Sequence, residues 1–316
     1  MKRVNIVLLL LELILIPLAQ GKPLPIKNFA VYYGQDKVKE LEKFDLVIVS
    51  PLIENKTIEL LKSKGVLVVG YVSISTVGNW EPWRKFVSED MLIGTEELWN
   101  EAIVNVNDER WHRVVLEEII PYLVLRGFSG VFFDNLDIVD DYPDFKHGII
   151  KIIKEVKRQY KGFIIVVNRG FSILYEIAPY IDALLFECFG TYYDFTTEKY
   201  RKWSGDNLEW ILKISKNVKE FSNKYGFLVL ALGYADPRDE KQFKEYMDYV
   251  NSLAKQFDFI PYVTDVYLKE INLKYAKSLF QDKGRIPYTY YLTISMLSIL
   301  LVVLLFILKR ALSKIS

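Results

Sequence analysis

The chain is poor in the residues that staple or ligate. Of its 316 residues one is cysteine, Cys188, and two are histidine, His112 and His147. A single thiol excludes an internal disulfide framework, so stability has to come from a packed core. The two histidines share no metal-ligand spacing, and no cysteine pair accompanies them, so neither a metal nor a cofactor is expected. Charge of one sign is lacking as well: 41 Lys and Arg stand against 40 Asp and Glu, for a net charge of +1. That balance speaks against nucleic acid as a partner, which needs a basic patch. No Gly-x-Gly-x-x-Gly follows the first apolar run, so nothing supports a dinucleotide fold. No Gly-x-Ser-x-Gly elbow marks a lipase-like hydrolase. The acidic run Asp134, Asp137, Asp140, Asp141 and Asp144 lacks the spacing and the glycine of a calcium loop. It reads as a solvated loop able to attract a cationic substrate.

Long apolar runs are present, at the two ends. Lys2 and Arg3 precede an apolar stretch from Ile6 to Leu18, and Ala19-Gln20-Gly21 is a small-x-small cleavage site. Residues 1–21 are therefore expected to be a signal peptide, with an uncleaved anchor as the competing reading. Residues 287–308 are expected to be a transmembrane helix, because Tyr288 to Leu308 holds no charge and roughly 20 such residues span a bilayer. Tyr288, Tyr290 and Tyr291 suit its interfacial belt, and Lys309, Arg310 and Lys314 in the tail 309–316 suit the cytoplasmic side. The expectation is a single-pass protein of the cell membrane with residues 22–286 outside.

That body has the length of one barrel domain, about 250 residues. Eight short apolar runs read as strands: Phe29–Gly34, Leu46–Ser50, Val66–Ile74, Val131–Asn135, Phe163–Asn168, Ala183–Glu187, Phe227–Tyr234 and Phe259–Asp265. Being continuous rather than alternating, they suit a parallel sheet covered on both faces. Helical spacing of apolar residues lies between them, over 57–64, 111–125, 148–160, 208–225 and 240–257, and Gly65, Gly127, Gly162 and Gly226 stand where left-handed C-caps belong. The pattern predicts an α/β fold, a (β/α)8 TIM-type barrel, with an open doubly wound sheet as runner-up. An insert, Thr76 to Asp108, interrupts the rhythm; its first part reads as a loop over the barrel mouth and Ile103–Asn107 as a short extra strand.

In such a barrel the C-terminal strand ends form the active face. Two of the runs end in carboxylates, Val131-Phe132-Phe133 in Asp134 and Ala183-Leu184-Leu185-Phe186 in Glu187. A carboxylate at the end of a buried strand is costly unless paired or used, and two together suit acid/base or nucleophilic chemistry. The other strand ends contribute Tyr33, Tyr71, Ser73, Asp137, Asn168, Arg169, Tyr234, Asp236 and Asp265 as candidate substrate-binding residues. Each tyrosine is equally suited to the core, and Arg169 to an ion pair at the rim. Trp80 and Trp83 are candidates for a stacking platform. Glu187 lies among apolar neighbours, which raise a carboxyl pKa and suit a general acid; Asp134, flanked by Asn135 and Asp137, reads as better solvated and ionised. Asp137 competes with Asp134 for its role.

The stretch Gly127-Phe128-Ser129-Gly130-Val131-Phe132-Phe133-Asp134-Asn135-Leu136-Asp137 resembles the fourth-strand motif of glycoside hydrolase family 114, the endo-α-1,4-polygalactosaminidases and related predicted extracellular polysaccharide hydrolases. Tyr32-Tyr33, Gly70-Tyr71-Val72-Ser73, Val167-Asn168-Arg169-Gly170, Phe186-Glu187 and Gly233-Tyr234 follow in the matching order. The resemblance implies a barrel, a polysaccharide substrate and Asp134 with Glu187 as the catalytic pair. The competing function is a non-catalytic polysaccharide-binding or cell-envelope protein on the same barrel. Retention against inversion, and which sugar is cut, stay open at this stage.

Overall fold

Every one of the eight apolar runs becomes a strand of a single parallel sheet. The computed structural model describes residues 24–276. The expected signal peptide, transmembrane helix and tail lie outside the described residues, among which no helix is long and apolar enough to cross a membrane. In chain order the strands are β1 (Phe29–Tyr32), β2 (Leu46–Val49), β3 (Leu67–Ser73), β4 (Thr76–Val77), β5 (Leu92–Glu96), β6 (Glu101–Val104), β7 (Gly130–Asp134), β8 (Ile164–Asn168), β9 (Ala183–Phe186), β10 (Thr191–Asp194), β11 (Lys199–Lys202), β12 (Leu228–Tyr234) and β13 (Ile260–Thr264). The large sheet runs β1-β2-β3-β7-β8-β9-β12-β13. Its two ends come side by side: the Tyr33 amide donates to the Leu268 carbonyl at 2.8 Å, and Phe29 meets the Tyr262 ring at 5.5 Å. The result is a nearly closed (β/α)8 barrel.

Why these residues make strands follows from their surroundings. β1, β2 and β9 are buried along their whole length, so no polar face is needed and β-branched and aromatic side chains fill both sides. Gly130 opens β7 at a place where a Cβ would run into the Ile164 carbonyl of β8. The covering helices are α1 (Asn55–Ser63), α2 (Glu109–Leu125), α3 (Lys146–Gln159), α4 (Gly205–Tyr225) and α5 (Glu240–Phe257). In α3, Ile149, Ile152, Ile153 and Val156 are buried at helical spacing, while lysines and arginines cover the outer face. Helix α2 loosens into a π-helical stretch over Val114–Ile119 ahead of Pro121, which has no amide to continue the ladder.

Two additions to the barrel matter for the site. The insert after β3 is a three-stranded antiparallel sheet, β4-β6-β5. The extra strand expected over Ile103–Asn107 lies earlier, as β6, and overlaps the expectation only at Ile103 and Val104, while the part read as loop contains β4 and β5. The segment after β9 forms an antiparallel hairpin, β10–β11, that has no counterpart among the expected elements.

Candidate active site

The geometry begins with the register of four adjacent barrel strands, β3, β7, β8 and β9. Ser73 pairs with Asp134 across β3 and β7, and Asn168 of β8 pairs with Leu185, two residues before Glu187. Asp134, Asn168 and Glu187 are thus delivered to one side of the mouth. Each is followed at once by a residue in the left-handed region: Asn135 (φ 62°), Arg169 (φ 52°) and Cys188 (φ 57°). Non-glycine residues adopt that conformation at a cost, and such costs gather at functional sites. Here the three bends turn the chain away, leaving the preceding side chains at the mouth.

A single amide nitrogen joins the two carboxylates. Asn168 Nδ2 donates to Asp134 Oδ1 at 2.8 Å and to Glu187 Oε2 at 2.6 Å, so those two oxygens are no more than 5.4 Å apart. The Tyr234 hydroxyl donates to Glu187 Oε1 at 2.5 Å. The Asn135 amide donates to Asp134 Oδ1 at 2.8 Å, and the Tyr71 hydroxyl also bonds that carboxylate. Tyr33 stands edge-on to Tyr71 at 5.3 Å. Burial, with the charges of Asp134 and Glu187, pushes the Tyr33 hydroxyl well above its ordinary range; burial with Asp134 does so for Tyr71, and burial with Glu187 for Tyr234. All three remain neutral donors. Asn168 Oδ1 is buried without a partner, an acceptor left over inside the site.

The contrast drawn from flanking residues needs correction. Asp134 is not the well-solvated member. Burial first, and the Glu187 charge second, raise its carboxyl to about 6, against the opposing bonds from Asn168, Asn135 and Tyr71. The side chains of Asn135 and Asp137 do not solvate it: Asn135 gives it only its backbone amide, and its Nδ2 bonds Ser73 and Thr76 instead. Asp137 forms an ion pair with Arg169 at 3.0 Å and accepts from the Gly170 amide. Arg169 also lies over the Phe171 ring.

Other expected residues have their polar atoms engaged elsewhere. Ser73 does not face open space: its hydroxyl accepts from Asn135 Nδ2 at 3.0 Å and donates to Thr76 Oγ1 at 2.7 Å, since Thr76 spends its own hydrogen on Glu101. Asp236 pairs with Arg238 at 3.0 Å. Asp265 is turned to the backbone, accepting from the amides of Tyr267, Lys269 and Glu270. Trp83 is buried and donates to Glu81, which removes it as a stacking platform; Trp80 stays exposed. Among the described residues no group of three or more His, Cys, Asp or Glu side chains is placed to hold a metal.

From sequence, Asn135 is only a strand-end neighbour of Asp134, and Thr76 and Glu101 have no site role. Thr76 Oγ1 donates to Glu101 Oε2 at 2.6 Å and accepts from Asn135 Nδ2, so the insert is tied to the residue next to Asp134. The Asp-Asn pair at a strand end was the available signal, since asparagine tolerates the left-handed region.

Known proteins share the fold. The glycoside hydrolase domain of PelA from Pseudomonas aeruginosa is similar in structure, with a TM-score of 0.67 and 19% identity over 78% of this chain and 97% of that one. Ega3 from Aspergillus fumigatus, solved in complex with galactosamine, gives a TM-score of 0.57 and 14% identity over 79% of this chain and 97% of that one. No curated protein sequence matches the chain. The family model described as "Glycoside-hydrolase family GH114" matches residues 18–280. With most of its length matched, the chain belongs to glycoside hydrolase family GH114.

Proposed function

We propose that the protein cleaves an amino-sugar polysaccharide, an α-1,4-linked galactosamine polymer or a close relative, by a two-carboxylate mechanism with retention. The observation that carries this reading is the shared Asn168 nitrogen, which keeps two carboxylate oxygens within 5.4 Å. Retaining pairs stand about 5–5.5 Å apart, whereas inverting pairs leave roughly 6.5–9.5 Å for a water. Galactosamine bound to Ega3 supports the sugar class. In this reading Asp134, ionised and held by three donors, attacks the anomeric carbon, while Glu187 passes a proton to the departing glycosidic oxygen. Water then enters with Glu187 as base, and Asp134 leaves. Asn168 Oδ1 accepts from a substrate hydroxyl or ammonium. The expected C-terminal helix, residues 287–308, would hold the barrel at the outer face of the cell membrane.

The test is product release by the full chain from such a polymer, with the anomeric configuration of the first product read by NMR. Asp134→Asn and Glu187→Gln should each lower the rate by about 10³-fold or more while the protein stays folded. A first product of inverted configuration, or an active Asp134→Asn, defeats the mechanism. Equal binding of the polymer by all three proteins without cleavage by any would support the binding-protein reading.

A further inference from the structure

Two segments outside the barrel sheet meet above it. The insert rises from the C-terminal end of β3 and the β10–β11 hairpin from that of β9. In sheet order these are the third and sixth strands, with β7 and β8 between them on one side and four strands on the other. A contact between the two extensions therefore crosses the barrel mouth. It is made by Trp99, at the turn between β5 and β6, and Phe195, at the turn between β10 and β11, whose rings meet at 6.0 Å and 90°. The contacts continue across: Phe195 meets Tyr193 at 4.9 Å, and Tyr193 meets Tyr267, beyond β13, at 6.4 Å.

These rings are not core. Trp99 is 56% exposed, Tyr267 55% and Phe195 41%. The turns that carry them are nonetheless braced by hydrogen bonds. Glu96 accepts from the amides of Leu98 and Trp99, and Asp194 accepts from the amides of Thr196 and Thr197 and from the Thr197 hydroxyl. Two stiff turns thus present large aromatic faces to water and touch through one edge-to-face contact. Such faces suit the apolar side of a sugar ring. The joint between them is weak beside the turns it joins.

We propose that Trp99 and Phe195 form a clasp over the catalytic pair, which binds a long glycan through the apolar faces of its sugars and has to part to load an internal segment. The proposal rests on the glycoside hydrolase reading above. A long chain is captured when the clasp opens; a short oligosaccharide passes beneath it end-on.

The experiment joins the two tips. The double variant Leu98→Cys/Thr196→Cys, at exposed neighbours that leave both rings in place, is linked by a bismaleimide and compared with the same protein capped by a monofunctional maleimide. Cys188 stays out of the reaction, because burial and the Glu187 charge push its thiol far up. Retention in a gel containing a long α-1,4-linked galactosamine polymer reads binding without turnover, and release of short products reads cleavage. The linked protein should bind and cut the long polymer at least tenfold less well than the capped one. A short oligosaccharide of the same linkage should be cut within twofold by both. A linked protein that binds the long polymer as tightly as the capped one overturns the clasp. Absence of cleavage in every arm would count against the hydrolase reading, and the binding comparison would still decide the clasp.

Discussion

Asn168 gives one amide nitrogen to two carboxylates, and that bond lowers the Asp134 pKa against burial and the Glu187 charge. Asn168→Ala should therefore raise the carboxyl above about 6. Because the nucleophile must be ionised, the acid limb of kcat/KM should move to higher pH, with a loss of about tenfold or more on the plateau. A pH–rate profile checks both. The same carboxyl affects stability with a definite sign. Its folded pKa of about 6 exceeds the ordinary 3.8, so the folded state holds the proton more tightly. The stabilisation is complete below pH 4 or so and is lost as pH rises through 6. Asp134→Asn should then match the parent at pH 4 and exceed it at pH 8 by about 2–3 kcal/mol, as read by urea unfolding. Glu81 repeats the pattern in the insert: burial lifts it to about 8, and its Oε1 has no partner.

At the scale of elements, β7 carries Asp134 and depends on close approach to β8. Gly130→Ala would push a methyl into the Ile164 carbonyl, a backbone atom that cannot swing aside. A loss of about 1–3 kcal/mol in urea unfolding is expected, with activity falling as β7 shifts. The barrel strands were legible because each is buried on both faces and so leaves a continuous apolar run. The strands outside the barrel were not. β11 is largely exposed, as are the middle residues of β5, and such ribbons of charged and polar residues look like loop. The candidate site was legible as strand ends, Asp134, Asn168 and Glu187 among them, because the topology brings those together. Its electrostatics were not, because the left-handed bend at Asn135 separates sequence neighbours in space. Asp265 reads from sequence as a substrate-binding candidate at a strand end; only the chain path beyond β13 shows its oxygens occupied by amides.

For the molecule as a whole, near-neutral net charge hides an uneven distribution. Asp134 and Glu187 share the barrel mouth, with Asp137 near Glu187, while the lysines and arginines of α3 lie on the outside. If the substrate is a polycation, KM should rise several-fold between low salt and roughly 0.5 M while kcat changes little, as steady-state kinetics would record. The seam between β1 and β13 has a different kind of consequence, one of timing. Lys37, just past the first strand, reaches Glu270, just past the last, across 233 residues. Until the final strand has left the ribosome, β1 has no neighbour on that side and the sheet keeps an open edge. The nascent chain therefore spends nearly all of its synthesis as an unclosed sheet, and its hazard is pairing with another chain at the ends that the finished barrel brings together.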